Sequence, residues 1–307
     1  MSAQQVARFE DKLDSDRFLI TMEVNPPKGT DLSEMMEALA KVRGLVDAVN
    51  VTDGSGAIMR ACSLAVSRSV LDAGFDPIFQ MTCRDRNRLA LQGDLLGAAL
   101  LGIRNLLLLT GDDPKSGDHP EAKPVFDINS AALMQVARSL TQGKDMAGKD
   151  LAGSPHFCIG AAADPNAKDL DVEMQKFAAK IAAGAEFFQT QAVFDAAPVE
   201  NFMKRSRAHA KPVLAGILLI KSAKMARYMN EHVWGIHVPD HLIARFESAA
   251  DKKAECIRTT AELIRSVMPH ADGIHLYGLG WEALIPDILK EAALGSTPKR
   301  SVARRAT

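Results

Sequence analysis

The chain has 307 residues, with 37 basic against 38 acidic side chains, a length that fits one large α/β domain. The near-cancellation of charge leaves no basic field for nucleic acid. The longest apolar runs, such as residues 95–103, fall well short of the ~20 residues that a membrane helix needs. Cys62, Cys83, Cys158 and Cys256 are far apart and form no C-x-x-C pair. That argues against a disulfide framework or structural zinc and for a reducing compartment. Residues 2–16 are polar rather than leader-like, so a soluble, cytoplasmic protein without a membrane or nucleic-acid partner is expected.

Residues 18–24 predict a first strand, closed by Asn25-Pro26-Pro27, because proline cannot continue a central strand. Asp31 then precedes Leu32, Met35, Met36 and Leu39, a helical spacing with Asp31 as its expected N-cap. A second strand, 48–52, ends in Asp53-Gly54-Ser55-Gly56 and leads to a helix over 59–73. A third strand, 77–82, precedes a helix over 85–101. The fourth strand is Leu106-Leu107-Leu108-Leu109, a run buried on both faces, and it stops at Thr110-Gly111-Asp112-Asp113-Pro114. A carboxylate at the mouth of a buried parallel strand is where α/β enzymes put chemistry. Spacing alone leaves open whether Asp112 or Asp113 works there or only caps the next element.

A polar loop over 113–128, a helix over 130–140 and a second polar link over 143–155 follow. Connections this long inside a compact domain usually serve a site. The fifth strand is expected at 156–162, a helical stripe at Met174, Phe177, Ala178 and Ile181, and the sixth strand at 187–192. Pro198 is expected to open the next helix. A seventh strand at 212–218, helices at 222–230, 239–246 and 250–268, an eighth strand at 273–277 and a helix at 282–293 complete the pattern. Residues 296–307, with Lys299, Arg300, Arg304 and Arg305, lack large apolar residues and are expected to be a frayed basic tail.

The strands end near Glu23, Thr52, Gln80, Thr110, Ala162, Gln191, Leu218 and Tyr277, at successive spacings of 29, 28, 30, 52, 29, 27 and 59 residues. About 30 residues is one strand–helix unit. Eight such units, in a single domain over 1–307, predict a (β/α)₈ TIM barrel with extra helices after strands 4 and 7. Barrel enzymes work at the C-terminal strand ends. Glu23, Thr52, Gln80, Asp112, Gln191 and Tyr277 should therefore share one bowl. A carboxylate in a partly apolar bowl suits general-acid work, and carboxamides offer paired donors and acceptors for a heterocycle. The alternative for each is that it satisfies loop backbone.

These residues carry a resemblance. Phe18-x-x-x-Met22-Glu23-Val24-x-Pro26-Pro27 resembles the E-x-x-P-P signature of the methylenetetrahydrofolate reductase family. Leu107-x-Leu109-Thr110-Gly111-Asp112-x-Pro114 resembles its L-x-G-D-x-P signature, and Phe187 to Asp195 its I-T-Q-x-x-F-D strand. Ala215-Gly216-Ile217-Leu218, Gly235-x-x-Val238-Pro239 and Gly273-Ile274-His275-Leu276-Tyr277 are similar to later landmarks. The resemblance spans residues 18–291 and implies the flavin-dependent bacterial type, on a (β/α)₈ barrel.

It implies hydride transfer from a reduced nicotinamide, or a protein electron donor, to FAD and on to 5,10-methylenetetrahydrofolate, giving 5-methyltetrahydrofolate. Glu23 would be the general acid, and Asp112 would tune the flavin and hold the pterin. Gln191 and Tyr277 would contact the folate. Thr52, Gln80, Thr110, Ala162, Glu173 and Lys180 fall where the family contacts flavin, and Glu173 and Lys180, seven apart, share a helix face. The chain departs from the family at Thr110 (usually Arg), Gln80 (often His), Asp164 (often aromatic) and Gly278-Leu279-Gly280-Trp281 (usually Thr-x-Asn-Arg). The departures leave FMN as an alternative to FAD. No G-x-G-x-x-G follows a strand, so a nicotinamide would share the barrel mouth. Two rival expectations stand beside this one: a folate-binding subunit of a larger electron-transfer complex, whether homo-oligomer or hetero-complex, and a metal-dependent aldolase-type barrel with Glu23 and Asp112 as ligands. The second lacks a histidine cluster, since only His275 lies on a strand near the ring, and no metal is expected.

Overall fold

The computed structural model describes residues 8–233 and 235–295; the basic tail over 296–307 lies outside the described residues. Eight parallel strands close on themselves in sequence order: β1 (Leu19–Val24), β2 (Ala48–Val51), β3 (Pro77–Thr82), β4 (Asn105–Leu109), β5 (Cys158–Ala163), β6 (Phe187–Val193), β7 (Val213–Leu218) and β8 (Gly273–Tyr277). The ring shuts where β1 pairs with β8, Glu23 opposite Tyr277. The fold expected from strand spacing is the one observed.

The two-residue pleat decides which side chains face inward. On β1, Ile20, Met22 and Val24 pack outward in the main core against the helices, while Leu19 faces the barrel interior. Leu19, Ala48, Ile78, Leu107, Cys158, Phe187 and Leu214 form an apolar interior floor. The polar N-terminal segment completes it. Helix α1 (Phe9–Leu13) places Phe9 and Leu13 in that floor, with the Phe9 ring edge-on to Phe187 at 5.1 Å. The Phe9 amide donates to Asp76, a carboxylate raised above its usual range by burial.

Among the described residues ten helices surround the barrel: α2 (Ser33–Lys41), α3 (Ser63–Asp72), α4 (Arg88–Leu100), α5 (Ser130–Thr141), α6 (Leu170–Ala182), α7 (Ala196–Ser206), α8 (Ala223–His232), α9 (Asp240–Ser248), α10 (Lys252–Val267) and α11 (Ile285–Glu291). Side-chain caps explain several starts: Asn87 for α4, Asn129 for α5, Asp169 for α6, Asp195 for α7 and Ser222 for α8. Two boundaries differ from expectation. Asp31 accepts from the Ser33 amide at 2.9 Å, so α2 starts two residues past it. Asp195 takes the cap of α7, which leaves Pro198 as its third residue rather than its first. Among the described residues three helices, α8 to α10, follow β7, two more than one strand–helix unit needs. After β4 the surplus differs from the expected extra helix: it is loop with one 3-10 turn (Pro114–Ser116), besides α5. Its proline, glycine and aspartate content favours turns over a second α-helix.

Two outcomes follow from this packing. Phe9→Ala should empty a fully buried aromatic site and lower unfolding free energy by about 3–5 kcal/mol in urea titration. Cys62 is exposed, whereas Cys83, Cys158 and Cys256 are buried, and burial pushes the Cys83 and Cys256 thiols up to about 11. Mass spectrometry after iodoacetamide treatment at neutral pH should find Cys62 labelled in the native protein and all four cysteines after denaturation.

Candidate active site

Glu23 stands at the C-terminal end of β1, two pleats above the floor residue Leu19, and is 7% exposed. Among the described residues no hydrogen bond reaches its carboxylate; His275 Nε2 on β8 faces Oε2 at 3.7 Å. His275 is itself buried. Thr21 Oγ1 lies 2.9 Å from its Nδ1, and Gln189 Nε2 lies 3.3 Å away. The Thr21 hydroxyl also reaches the Ile274 carbonyl at 3.3 Å, so which partner donates at Nδ1 follows the tautomer of the ring. Gln189 also closes an amide pair with Asn50, at 2.7 and 3.0 Å, and donates to Thr21 at 3.0 Å. Thr21, Asn50, Gln189 and His275 thus form a buried polar layer directly below the mouth.

Sequence reasoning missed this layer as a unit. Its signal was present: each member sits two residues before a mouth residue, Glu23, Thr52, Gln191 or Tyr277. In a pleated strand that offset means the same face, one layer deeper, save on β6, where a bulge follows Gln189.

At the end of β4 the two adjacent carboxylates separate. Asp113 accepts from the Lys115 amide at 2.9 Å and caps the 3-10 turn. Asp112 reaches across to the loop after β2, where Oδ2 accepts from the Gly56 amide at 2.9 Å. Gly111, at φ 95°, makes that turn; a Cβ there would come within 2.9 Å of Thr82 Cβ. The β2 and β4 loops also meet at Met59, whose amide donates to Asp118 at 2.9 Å. Lys28, from the loop after β1, pairs with Asp118 and holds its carboxyl below the usual range. Three mouth loops are therefore latched together.

Beneath them Asp53 is a buried hub. It accepts from Ser63 Oγ at 3.1 Å, from the Thr82 amide and hydroxyl at 2.8 and 3.0 Å, and from Arg86 at 2.7 Å. It ties β2 to β3 and α3.

On the opposite wall β6 carries a bulge between Gln189 and Ala192, and Gln191 is the strand's exposed residue. Tyr277 faces this bulge, and its hydroxyl donates to the Thr190 carbonyl at 2.8 Å.

The remaining expected residues are spread along the rim. Thr52 is buried, its hydroxyl donating to Asn25 Oδ1 at 2.9 Å. Gln80 is 6% exposed, yet its carboxamide has no hydrogen-bond partner among the described residues. Thr110 is exposed beside a cleft of about 510 Å³ lined by Phe126, Asp127, Ile128, Asn129 and Ala132. Glu173 and Lys180 do share a face of α6, but both turn to the end of β5. Glu173 accepts from the Asp164 amide at 3.0 Å, and Lys180 Nζ donates to the Ala162 carbonyl at 2.6 Å. Burial holds the Lys180 ammonium below its usual range despite Glu173 nearby. Among the described residues, no three His, Cys, Asp or Glu side chains gather to hold a metal ion, and no helix is long and apolar enough to cross a membrane.

The family model described as methylenetetrahydrofolate reductase matches residues 8–293. The chain belongs to the methylenetetrahydrofolate reductase family. It is 25% identical, over 92% of its length, to methylenetetrahydrofolate reductase 2 of Schizosaccharomyces pombe, of which it covers 47%. It is 26% identical, over 76% of its length, to a Caenorhabditis elegans protein named as a methylenetetrahydrofolate reductase (NADPH), of which it covers 34%. The chain thus spans less than half the length of these curated relatives. In the family barrel seen here, Asp53 anchors the mouth from below. Asp53→Ala would remove the acceptor shared by Ser63, Thr82 and Arg86, leave Arg86 with Asp94, and should lower unfolding free energy by about 1–3 kcal/mol, read by chemical denaturation.

Proposed function

We propose that this chain reduces 5,10-methylenetetrahydrofolate to 5-methyltetrahydrofolate, with a flavin as hydride carrier and a reduced nicotinamide as electron donor. The observation that carries the proposal is Glu23: a nearly buried carboxylate without a hydrogen-bond partner among the described residues, at the centre of the mouth of a barrel of this family. Such a group is available to deliver a proton rather than to hold loop backbone. Its donation to a nitrogen of the folate's five-membered ring opens that ring to an electrophilic iminium, which accepts hydride to become the methyl group. Gln191 offers its carboxamide to the pterin, and Asp112, past the end of β4, is the second proposed pterin contact.

The rim residues fit a flavin. The uncommitted Gln80 carboxamide, with both a donor and an acceptor, suits the edge of a planar heterocycle. Thr110 and the cleft beside it, with Thr52, Ala162, Glu173 and Lys180 around the rim, make up the rest of its expected contacts. When bound, the flavin supplies the hydride relay that no side chain can provide. FAD is the form proposed, with FMN as the alternative. The name of the C. elegans relative supports a nicotinamide as donor.

An absorption spectrum of the purified protein should carry flavin bands. Anaerobic addition of a reduced nicotinamide should bleach them, and methylenetetrahydrofolate should restore them. In Glu23→Gln the bleaching should persist while the folate step slows by about 10²–10⁴-fold, the usual scale of general-acid catalysis. A protein that binds no flavin and reduces no methylenetetrahydrofolate with any donor overturns the proposal. Loss of both half-reactions in Glu23→Gln contradicts the acid role.

A further inference from the structure

Bulges are rare between parallel strands and tend to re-aim a side chain beside a site. The one on β6 inserts an extra residue against β7: Gln189 pairs with Leu214 and Ala192 with Gly216, three positions against two. That leaves backbone groups near Thr190 and Gln191 outside the ladder, where each must find another partner. The structure satisfies three of them with two side chains. The Gly216 amide donates to Thr190 Oγ1 at 2.8 Å, and Thr190 Oγ1 donates to the Gln191 carbonyl at 2.7 Å. The Tyr277 hydroxyl donates to the Thr190 carbonyl at 2.8 Å.

Tyr277 belongs by position to the ring of mouth residues, but its one polar atom is spent on this carbonyl. Burial, reinforced by the charge of Glu23, pushes its phenol far above the ordinary range. It therefore remains a donor at any working pH. The ring also stands edge-on to His275 at 4.6 Å, which fixes its direction. Gly216 completes the arrangement: a Cβ there would lie 2.4 Å from the Thr190 carbonyl oxygen, 2.8 Å from Tyr277 Cε2 and 2.9 Å from the Gln191 carbonyl oxygen. Any side chain at 216 would push the bulge and the tyrosine apart.

We propose that Tyr277 is a positioning residue: through the Thr190 carbonyl it holds the β6 bulge that presents Gln191 to the pterin ring of the folate. This rests on the proposed folate site, and it replaces direct contact between Tyr277 and the substrate with action through Gln191. Gln191 is the member of β6 that the bulge leaves exposed at the mouth. Its carboxamide can meet a donor–acceptor edge in one orientation only if its backbone is fixed.

A double-mutant cycle on the full chain tests this, reading kcat and KM for methylenetetrahydrofolate. Tyr277→Phe removes only the hydroxyl. KM should rise about five- to tenfold, the scale of one hydrogen bond, with kcat little changed, because binding in ground and transition states is weakened alike. In a Gln191→Ala background the same change should add less than about twofold, since residues acting as one unit are not additive. Thr190→Val should behave like Tyr277→Phe, while Thr190→Ser, which keeps the hydroxyl, should restore wild-type KM. Effects of Tyr277→Phe and Gln191→Ala that multiply independently mean that Tyr277 touches the folate itself, and overturn the inference while leaving the proposed function intact. A Tyr277→Phe enzyme with wild-type KM overturns it equally. A wild-type protein that neither binds nor reduces methylenetetrahydrofolate removes the proposed function, and this inference with it.

Discussion

Closure of the parallel barrel is the constraint on which everything else depends. Once β8 pairs with β1, each strand must send alternate residues into a space too narrow for solvent. The interior then divides into layers by sequence position alone. Leu19 on β1 is floor, Thr21 is the middle and Glu23 is the mouth. On β8 the matching residues are Gly273, His275 and Tyr277. A one-residue slip of β1 would turn Met22 inward and Glu23 out among the helices. The chemistry of the mouth is therefore tied to the register of strands whose outward faces are held by apolar packing.

The middle layer is where that constraint is hardest to meet. Buried amides and hydroxyls cost about 1–3 kcal/mol each when left without partners. Asn50 and Gln189 answer each other directly, and Gln189, Thr21 and His275 close the remaining bonds. Thr21 and Gln189 meet His275 at Nδ1, and its Nε2 faces Glu23 at 3.7 Å. A purely apolar layer would pack as well, but would set no direction for the carboxylate above it. The apolar floor and α1 beneath keep water out of this network from the other end.

Strand spacing made the barrel legible in the sequence, because eight units near 30 residues leave few alternatives. It also placed Glu23, Thr52, Gln80, Gln191 and Tyr277 at the strand ends. Two things were hidden for physical reasons. Residues 2–16 look polar because only Phe9 and Leu13 of the described part enter the floor, and a five-residue helix has too few turns to show a period. The bulge was hidden because a period-2 pattern carries no mark of one extra residue. Thr190 and Gln191 read as ordinary strand, so the hydrogen bond from the Tyr277 hydroxyl to the Thr190 carbonyl was not legible either. The different positions of Asp112 and Asp113 were likewise a matter of turn geometry: Asp113 caps the turn, while Asp112 bridges to the Gly56 amide.

Thr110 shows how a missing charge can be offset by position. The resemblance drawn from the sequence implies Arg there, and an arginine at that point would set a fixed positive charge next to Asp112. In this chain the charge comes from the neighbouring strand. Arg84, just past β3, is 5% exposed and donates to the Gly54 carbonyl at 3.0 Å and to Asp85. Burial works against its charge, but Asp85, Asp53 and Asp112 together outweigh it. The same loop that Arg84 grips presents the Gly56 amide to Asp112. Asp112 thus keeps both a hydrogen-bond donor and a nearby cation without an arginine on its own strand.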